Sequence, residues 1–270
     1  MIQIDRADDP RLVPYRHVGD PAWLRERDLF VAEGRLVVAR LIASGYTVES
    51  VLVTPAAQAA FGSTLLDAST VYVAPQSIVN EITGFKFHRG CLALATRLPP
   101  RQVHEFGSAR RLVILEGVNN PDNVGGVCRS GAALGIDGVL LGPGTGDPLY
   151  RKALRTSMGA ALWLPFAHVE PWPDALRSIR DLGFVIAALS PSGTVMLDDF
   201  VAKIPVDSRI AVIAGAEGSG LSGAALAAAD TVVRIPVHPR SDSLNVVVAV
   251  SIALERLRSF PLERLRSFRL

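Results

Sequence analysis

The sequence predicts an α/β protein of two unequal domains, the larger one built on a parallel sheet. Three observations carry this expectation. First, after residue 111 short apolar runs recur with helical patterns between them: LVIL at Leu112, GVLL at Gly138, FVIAAL at Phe184, IAVIAG at Ile210 and VVRIP at Val232. Strands that read as unbroken apolar runs are buried on both faces, as in a parallel sheet covered by helices. Second, LPPRQVHEFGSARR at Leu98–Arg111 places two prolines and a polar run between two patterned regions, the composition of an interdomain linker. Third, 270 residues of which 49% are hydrophobic can bury one large core or two unequal ones.

The expected organisation is an N-terminal α/β domain over residues 1–98, a linker over 99–110, the large domain over 111–258 and an extension over 259–270. In the first domain RERDLFVAEGRLVVARLIASG reads as a helix, while VESVLVT, TVYVA and ALATR read as short strands. The last element, NVVVAVSIALERLR, is a helix apolar nearly all round at its start, which requires burial in the core or against a partner chain. ERLRSF then occurs at Glu255–Phe260 and again at Glu263–Phe268, with Pro261 between the copies. Proline stops the helix, so the second copy is expected as a solvated extension.

Composition excludes several function classes. The longest apolar stretch, VVVAVSIAL, is far short of a membrane span, and the N-terminus carries acids where a signal peptide carries bases. The expectation is a cytoplasmic protein. Cys91 and Cys128 stand outside any C-x-x-C spacing, so neither a disulfide framework nor a metal site is expected. A net charge of +2 argues against a charge-driven nucleic-acid coat, though not against local basic patches. Among the 28 basic residues lysine occurs only at Lys86, Lys152 and Lys203, a bias that a GC-rich genome explains before phosphate binding does. Gly142–Gly146, GPGTG, lacks the dinucleotide-binding spacing, and no P-loop is present. Ser192 and His168 have no neighbouring arrangement that suggests a nucleophile and base.

Polar groups gather at strand ends in three segments. NPDNVGGVCRSGAALG, Asn120–Gly135, follows the LVIL strand and ends at a glycine suited to stopping a helix. The carboxyl end of a parallel strand is where α/β proteins bind ligands. Gly125 and Gly126, four and three residues before Arg129, are expected to leave that side chain uncovered and to make room beside it. RKALRTSMGA, Arg151–Ala160, offers Lys152 and Arg155 for phosphate or for a solvated helix face. IAGAEGSGLS sets Glu217 between Gly215 and Gly218 directly after a buried strand. Further on, Ser243 and Asn245 flank the start of the final helix, where capping is their ordinary use.

The pattern Glu116, Pro121, Asn123, Gly125, Arg129, Gly135, together with GAEGSGLS and IPVHPRSDSLNVVVA, resembles the SpoU (TrmH-like) RNA 2′-O-methyltransferases of the SPOUT superfamily from Arg111 to about Arg258. FVAEGRLVV and TGFKFHRGCLALA are more loosely similar to the small substrate-binding domain that many of these enzymes carry. The resemblance implies S-adenosylmethionine as methyl donor, a ribose 2′-hydroxyl of RNA as acceptor, a parallel sheet threaded as a trefoil knot, and a homodimer. It matches Gly215, Ile235, Leu244 and Leu189 to the donor, and Arg129, Asn245, Ser243, Glu217 and Asn123 to the family's polar set. Because a guanidinium in general keeps its proton far above neutral pH, Arg129 is expected to orient the hydroxyl and stabilise the developing alkoxide, with proton acceptance as the alternative. Arg35, Lys86, His88 and Arg89 are the expected RNA contacts of the N-terminal domain, besides Lys152 and Arg155. Ribosomal RNA is the expected substrate by analogy with the branch that carries the added domain. Transfer RNA, a non-catalytic ribosome-assembly role and a dinucleotide-dependent oxidoreductase are the competing readings.

Overall fold

The apolar runs of the first hundred residues pair into one mixed sheet. Its strands are β1 (Ile2–Gln3), β2 (Leu29–Glu33), β3 (Val48–Val53), β4 (Val71–Val73) and β5 (Cys91–Thr96), in the order β1-β4-β3-β5-β2. β4 runs parallel to both β1 and β3, whereas β5 runs antiparallel to both β3 and β2. The structure is a computed structural model that describes residues 1–62 and 70–258. The extension expected over 259–270, with its repeated ERLRSF, lies outside the described residues.

One expectation for this half is corrected. RERDLFVAEGRLVVARLIASG is not a single helix: Leu29–Glu33 is the strand β2, and the helix is confined to Arg35–Ile42. Phe30, Val31 and Ala32 are all buried, and an unbroken apolar run has the same appearance in a buried strand as in a buried helix. Gly34, with φ of +88°, makes the break between the two elements. Leu12, Tyr15, Val31, Leu52, Val79, Phe87 and Leu92 fill the core of this sheet. The Tyr15 hydroxyl, buried there, shares a 2.9 Å hydrogen bond with Ser50 Oγ.

Two compact units divide the chain. The first comprises Met1–Pro100 together with Val124–Arg129 and Asp147–Trp163. Within it the Arg151–Thr156 helix packs on β2, where Arg151 Nη1 donates to Glu33 Oε2 at 2.5 Å. Glu33 is only 5% exposed, and the Arg151 guanidinium offsets the cost of burying its carboxylate.

The second unit holds a seven-stranded sheet. β6 (Arg111–Glu116), β7 (Gly138–Leu141), β8 (Phe166–His168), β9 (Phe184–Leu189), β10 (Val195–Met196), β11 (Arg209–Gly215) and β12 (Thr231–Arg234) lie in the order β10-β12-β9-β11-β6-β7-β8. Every neighbouring pair is parallel. β12 enters between β9 and β10, two strands that precede it in the chain. Leu112, Ile114, Leu140, Ile186 and Ile213 form the core, joined by Phe106 and Ala109 from the segment expected as a linker. The Val246–Arg256 helix buries Val246, Val250, Ala253 and Leu254, while Val248 remains 45% exposed. Among the described residues no helix is long and apolar enough to cross a membrane.

Candidate active site

The site is assembled where three neighbouring strands of the second unit end. β9, β11 and β12 finish at Leu189, Gly215 and Arg234, and the segments that follow them enclose a cavity of about 1010 Å³. That places it at the upper end of small-molecule pockets, which run from roughly 300 to 1,000 Å³. All four residues expected to hold a methyl donor line it: Leu189, Gly215, Ile235 and Leu244. Glu217 and Ser243 line it too.

The turn after β11 owes its shape to glycine. Gly220 N–H donates to the Ala216 carbonyl at 3.0 Å, folding the chain back so tightly that a Cβ on Gly215 would collide with the Gly220 backbone. Gly218 and Gly220 take φ of +89° and +68°, and a Cβ on either would meet nothing within 4 Å. The turn therefore presents bare backbone to open space.

Asn245 ties this turn to two helices. Its Oδ1 accepts from Val247 N at 2.9 Å and caps the final helix, as the ordinary use of asparagine there leads one to expect. Its Nδ2 donates to Glu217 Oε1 at 2.6 Å and to Asn123 Oδ1 at 3.1 Å. Asn123 is held in turn near the start of the Pro121–Ala133 helix, whose N-cap is Asn120. Capping and site-building are thus done by opposite ends of one amide.

Other expected residues are distributed differently. Arg129 is exposed on the Pro121–Ala133 helix, and its side chain makes no hydrogen bond or ion pair among the described residues. The room expected beside it is not supplied by Gly125. A Cβ there would run into the Ala153 carbonyl oxygen and approach Thr156 Cβ to 2.9 Å, so Gly125 is buried against the Arg151–Thr156 helix and serves close helix packing. Arg35, Lys86, His88 and Lys152 are exposed, and Arg155 is half-buried. Arg89 is exposed but leans on the buried Glu33, with 3.3 Å between Nε and Oε1.

Sequence reasoning missed several wall residues. Ser190, Pro191 and Ser192 follow β9 directly, so their position at a strand end was an available signal; Met196 and Asp242 also line the cavity, and nothing local marks them. Among the described residues no cluster of His, Cys, Asp and Glu is placed to hold a metal.

The chain is similar to known proteins along most of its length. The model of the SpoU rRNA Methylase family matches residues 110–255. An uncharacterized tRNA/rRNA methyltransferase of Mycobacterium tuberculosis (strain H37Rv) is 39% identical over 93% of this chain and 90% of its own length. The 23S rRNA (guanosine(2553)-2′-O)-methyltransferase RlmP of Bacillus subtilis is 24% identical over 96% of this chain and 100% of its own. Among solved structures, the SpoU methyltransferase AviRb of Streptomyces viridochromogenes in complex with the cofactor AdoMet superposes with a TM-score of 0.79 at 20% identity, covering 97% of this chain and 100% of that one. The AdoMet-bound rRNA methyltransferase of Sinorhizobium meliloti gives 0.79 at 22% identity, covering 95% and 97%.

Proposed function

This chain belongs to the SpoU rRNA methylase family, and from that premise we propose that it transfers a methyl group from S-adenosylmethionine to a ribose 2′-hydroxyl of structured RNA, ribosomal RNA in the first place. The observation that carries the proposal is the Asn245 amide, which joins Glu217 and Asn123 beside a cavity walled by the residues matched to the donor. The relative RlmP, whose name specifies a 2′-O position in 23S rRNA, supports the acceptor, and two neighbours with AdoMet bound support the donor.

The cavity suits that donor chemically. Leu189, Ile235 and Leu244 offer an apolar wall to a flat base, the bare backbone of Gly218 and Gly220 admits close approach, and the carboxylates of Glu217 and Asp242 suit a cationic ligand. When bound, S-adenosylmethionine supplies an electrophilic methyl group on a sulfonium. The protein must bring the 2′-oxygen into line with it, exclude water and accommodate the charge that forms on that oxygen. Asn245 gives both amide hydrogens to Glu217 and Asn123 and its oxygen to the helix cap, so its part is to position those two side chains for the hydroxyl. Ser243 adds a hydroxyl at the wall, and Arg129, exposed on its helix, is given the developing oxyanion on the strength of the family pattern alone. Shape recognition of the RNA falls to the exposed cations Arg35, Lys86, His88 and Lys152, with Arg89 and Arg155. The acting species is taken to be a cytoplasmic homodimer.

The test is methyl transfer from labelled donor to ribosomal and transfer RNA, followed by digestion to nucleosides. A 2′-O-methylnucleoside from ribosomal RNA is expected, and Arg129→Lys is expected to retain less than about 1% of the rate. A base-methylated product, or binding of NAD without binding of S-adenosylmethionine, overturns the proposal. Near-full activity of Arg129→Lys overturns the role given to the guanidinium.

A further inference from the structure

Glu116 is the first residue of the sequence pattern and has no place in the chemistry above. It is the last residue of β6, it is only 9% exposed, and both of its carboxylate oxygens are engaged. Trp172 Nε1 donates to Oε1 at 2.6 Å, and Ser222 N–H donates to Oε2 at 2.8 Å. Among the described residues no cation pairs with it, so these two hydrogen bonds are what compensate the burial of its charge.

The position of Ser222 gives this arrangement its meaning. The turn that lines the cavity leaves the sheet at Gly215, and in the register of β11 against β6 Gly215 stands directly opposite Glu116. The same turn ends at Ser222, which caps the Gly223–Ala228 helix by accepting from Ala225 N at 3.1 Å. One residue therefore holds both ends of the turn, its backbone beside the entry and its side chain on the exit. Glu217, Gly218 and Gly220, which face the cavity, lie between these two points.

Trp172 fixes the other half of the carboxylate. The edge of its indole rests over Gly142, where an added Cβ would come within 3.2 Å of Cζ3 and 3.0 Å of the Leu115 carbonyl oxygen. Gly142, the residue after β7, thereby allows the ring to reach Glu116. We propose that Glu116 is a positioning residue for donor binding, acting as a clasp that holds the 216–222 turn in its binding shape, with Trp172 and Gly142 setting the clasp. This rests on the reading of the cavity as the S-adenosylmethionine site.

Glu116→Gln preserves shape but offers one accepting oxygen where two N–H donors need one each. Trp172→Phe removes one donor, and Gly142→Ala crowds the indole without touching the cavity. Titration with S-adenosylhomocysteine is expected to give affinity lower on the order of tenfold for Glu116→Gln, and by smaller factors for the other two. The rate at saturating donor should stay within about threefold, so that KM moves and kcat does not. Hydrogen exchange of ligand-free protein should show the 216–222 amides opening about tenfold faster in Glu116→Gln, with other core amides unchanged. Should Glu116→Gln fail to fold, the other two variants carry the same measurements. Unchanged exchange in 216–222, or donor affinity within twofold of the parent protein in all folded variants, overturns the clasp. If the parent protein binds no S-adenosylhomocysteine, the proposed function fails, and the exchange measurement still judges the clasp by itself.

Discussion

Asn245 caps a helix with one end of its side chain and joins Glu217 to Asn123 with the other. Serine also caps helices well but cannot reach both Glu217 and Asn123, so Asn245→Ser is expected to keep the helix and lose the bridge. Its unfolding free energy should lie within about 1 kcal/mol of the parent protein by denaturant titration. Its methyl transfer should fall on the order of 100-fold, because Glu217 and Asn123 lose the group that holds them together. Equal loss of stability and activity would mean that Asn245 serves only the helix. In the sequence this residue could be assigned to a cap or to a site; the structure shows the cap at the acceptor end of the amide and puts its donor end on Glu217 and Asn123. Which partner the donor end would meet was not legible: Asn123 and Glu217 lie 122 and 28 residues away along the chain.

Helices and strands show where local pattern suffices and where it fails. The runs LVIL, GVLL, FVIAAL and IAVIAG each contain enough consecutive apolar residues to mark a buried strand, and each is one. β1, β8 and β10, of two or three residues, are too short to carry any period and were not foreseen. Gly125 shows a different failure, since a glycine before an arginine invites a functional explanation while the helix facing it is invisible from the local sequence. Gly125→Ala is expected to cost about 1–3 kcal/mol, because the Ala153 carbonyl and Thr156 would have to move. A loss of unfolding free energy below about 0.5 kcal/mol would show that the two helices separate easily. In the second unit Arg111, buried at the start of β6, donates from Nη2 to the Leu257 carbonyl at 2.9 Å and closes the C-terminal end of the last helix.

Across the molecule the two cysteines report on global opening. Burial pushes the thiols of Cys91 and Cys128 up to about 12, above the ordinary value of 9.0. Because the folded value is raised, their contribution to stability is fully present below pH 9.0 and is lost as pH rises toward about 12. At pH 8 both should react with an aromatic disulfide reagent only as fast as their own core opens, and stability should decline between pH 9 and 12. Fast labelling of either in native protein would contradict its burial. The α/β class and the parallel sheet could be read from the chain alone, since apolar runs are local patterns, and the four residues that the resemblance matched to the donor do line one cavity. The order in which β12 enters between β9 and β10, the clasp at Glu116 and the packing use of Gly125 could not. Each depends on segments far apart in sequence being brought together, and that is settled by which surfaces bury and which hydrogen bonds close once the whole chain is compact.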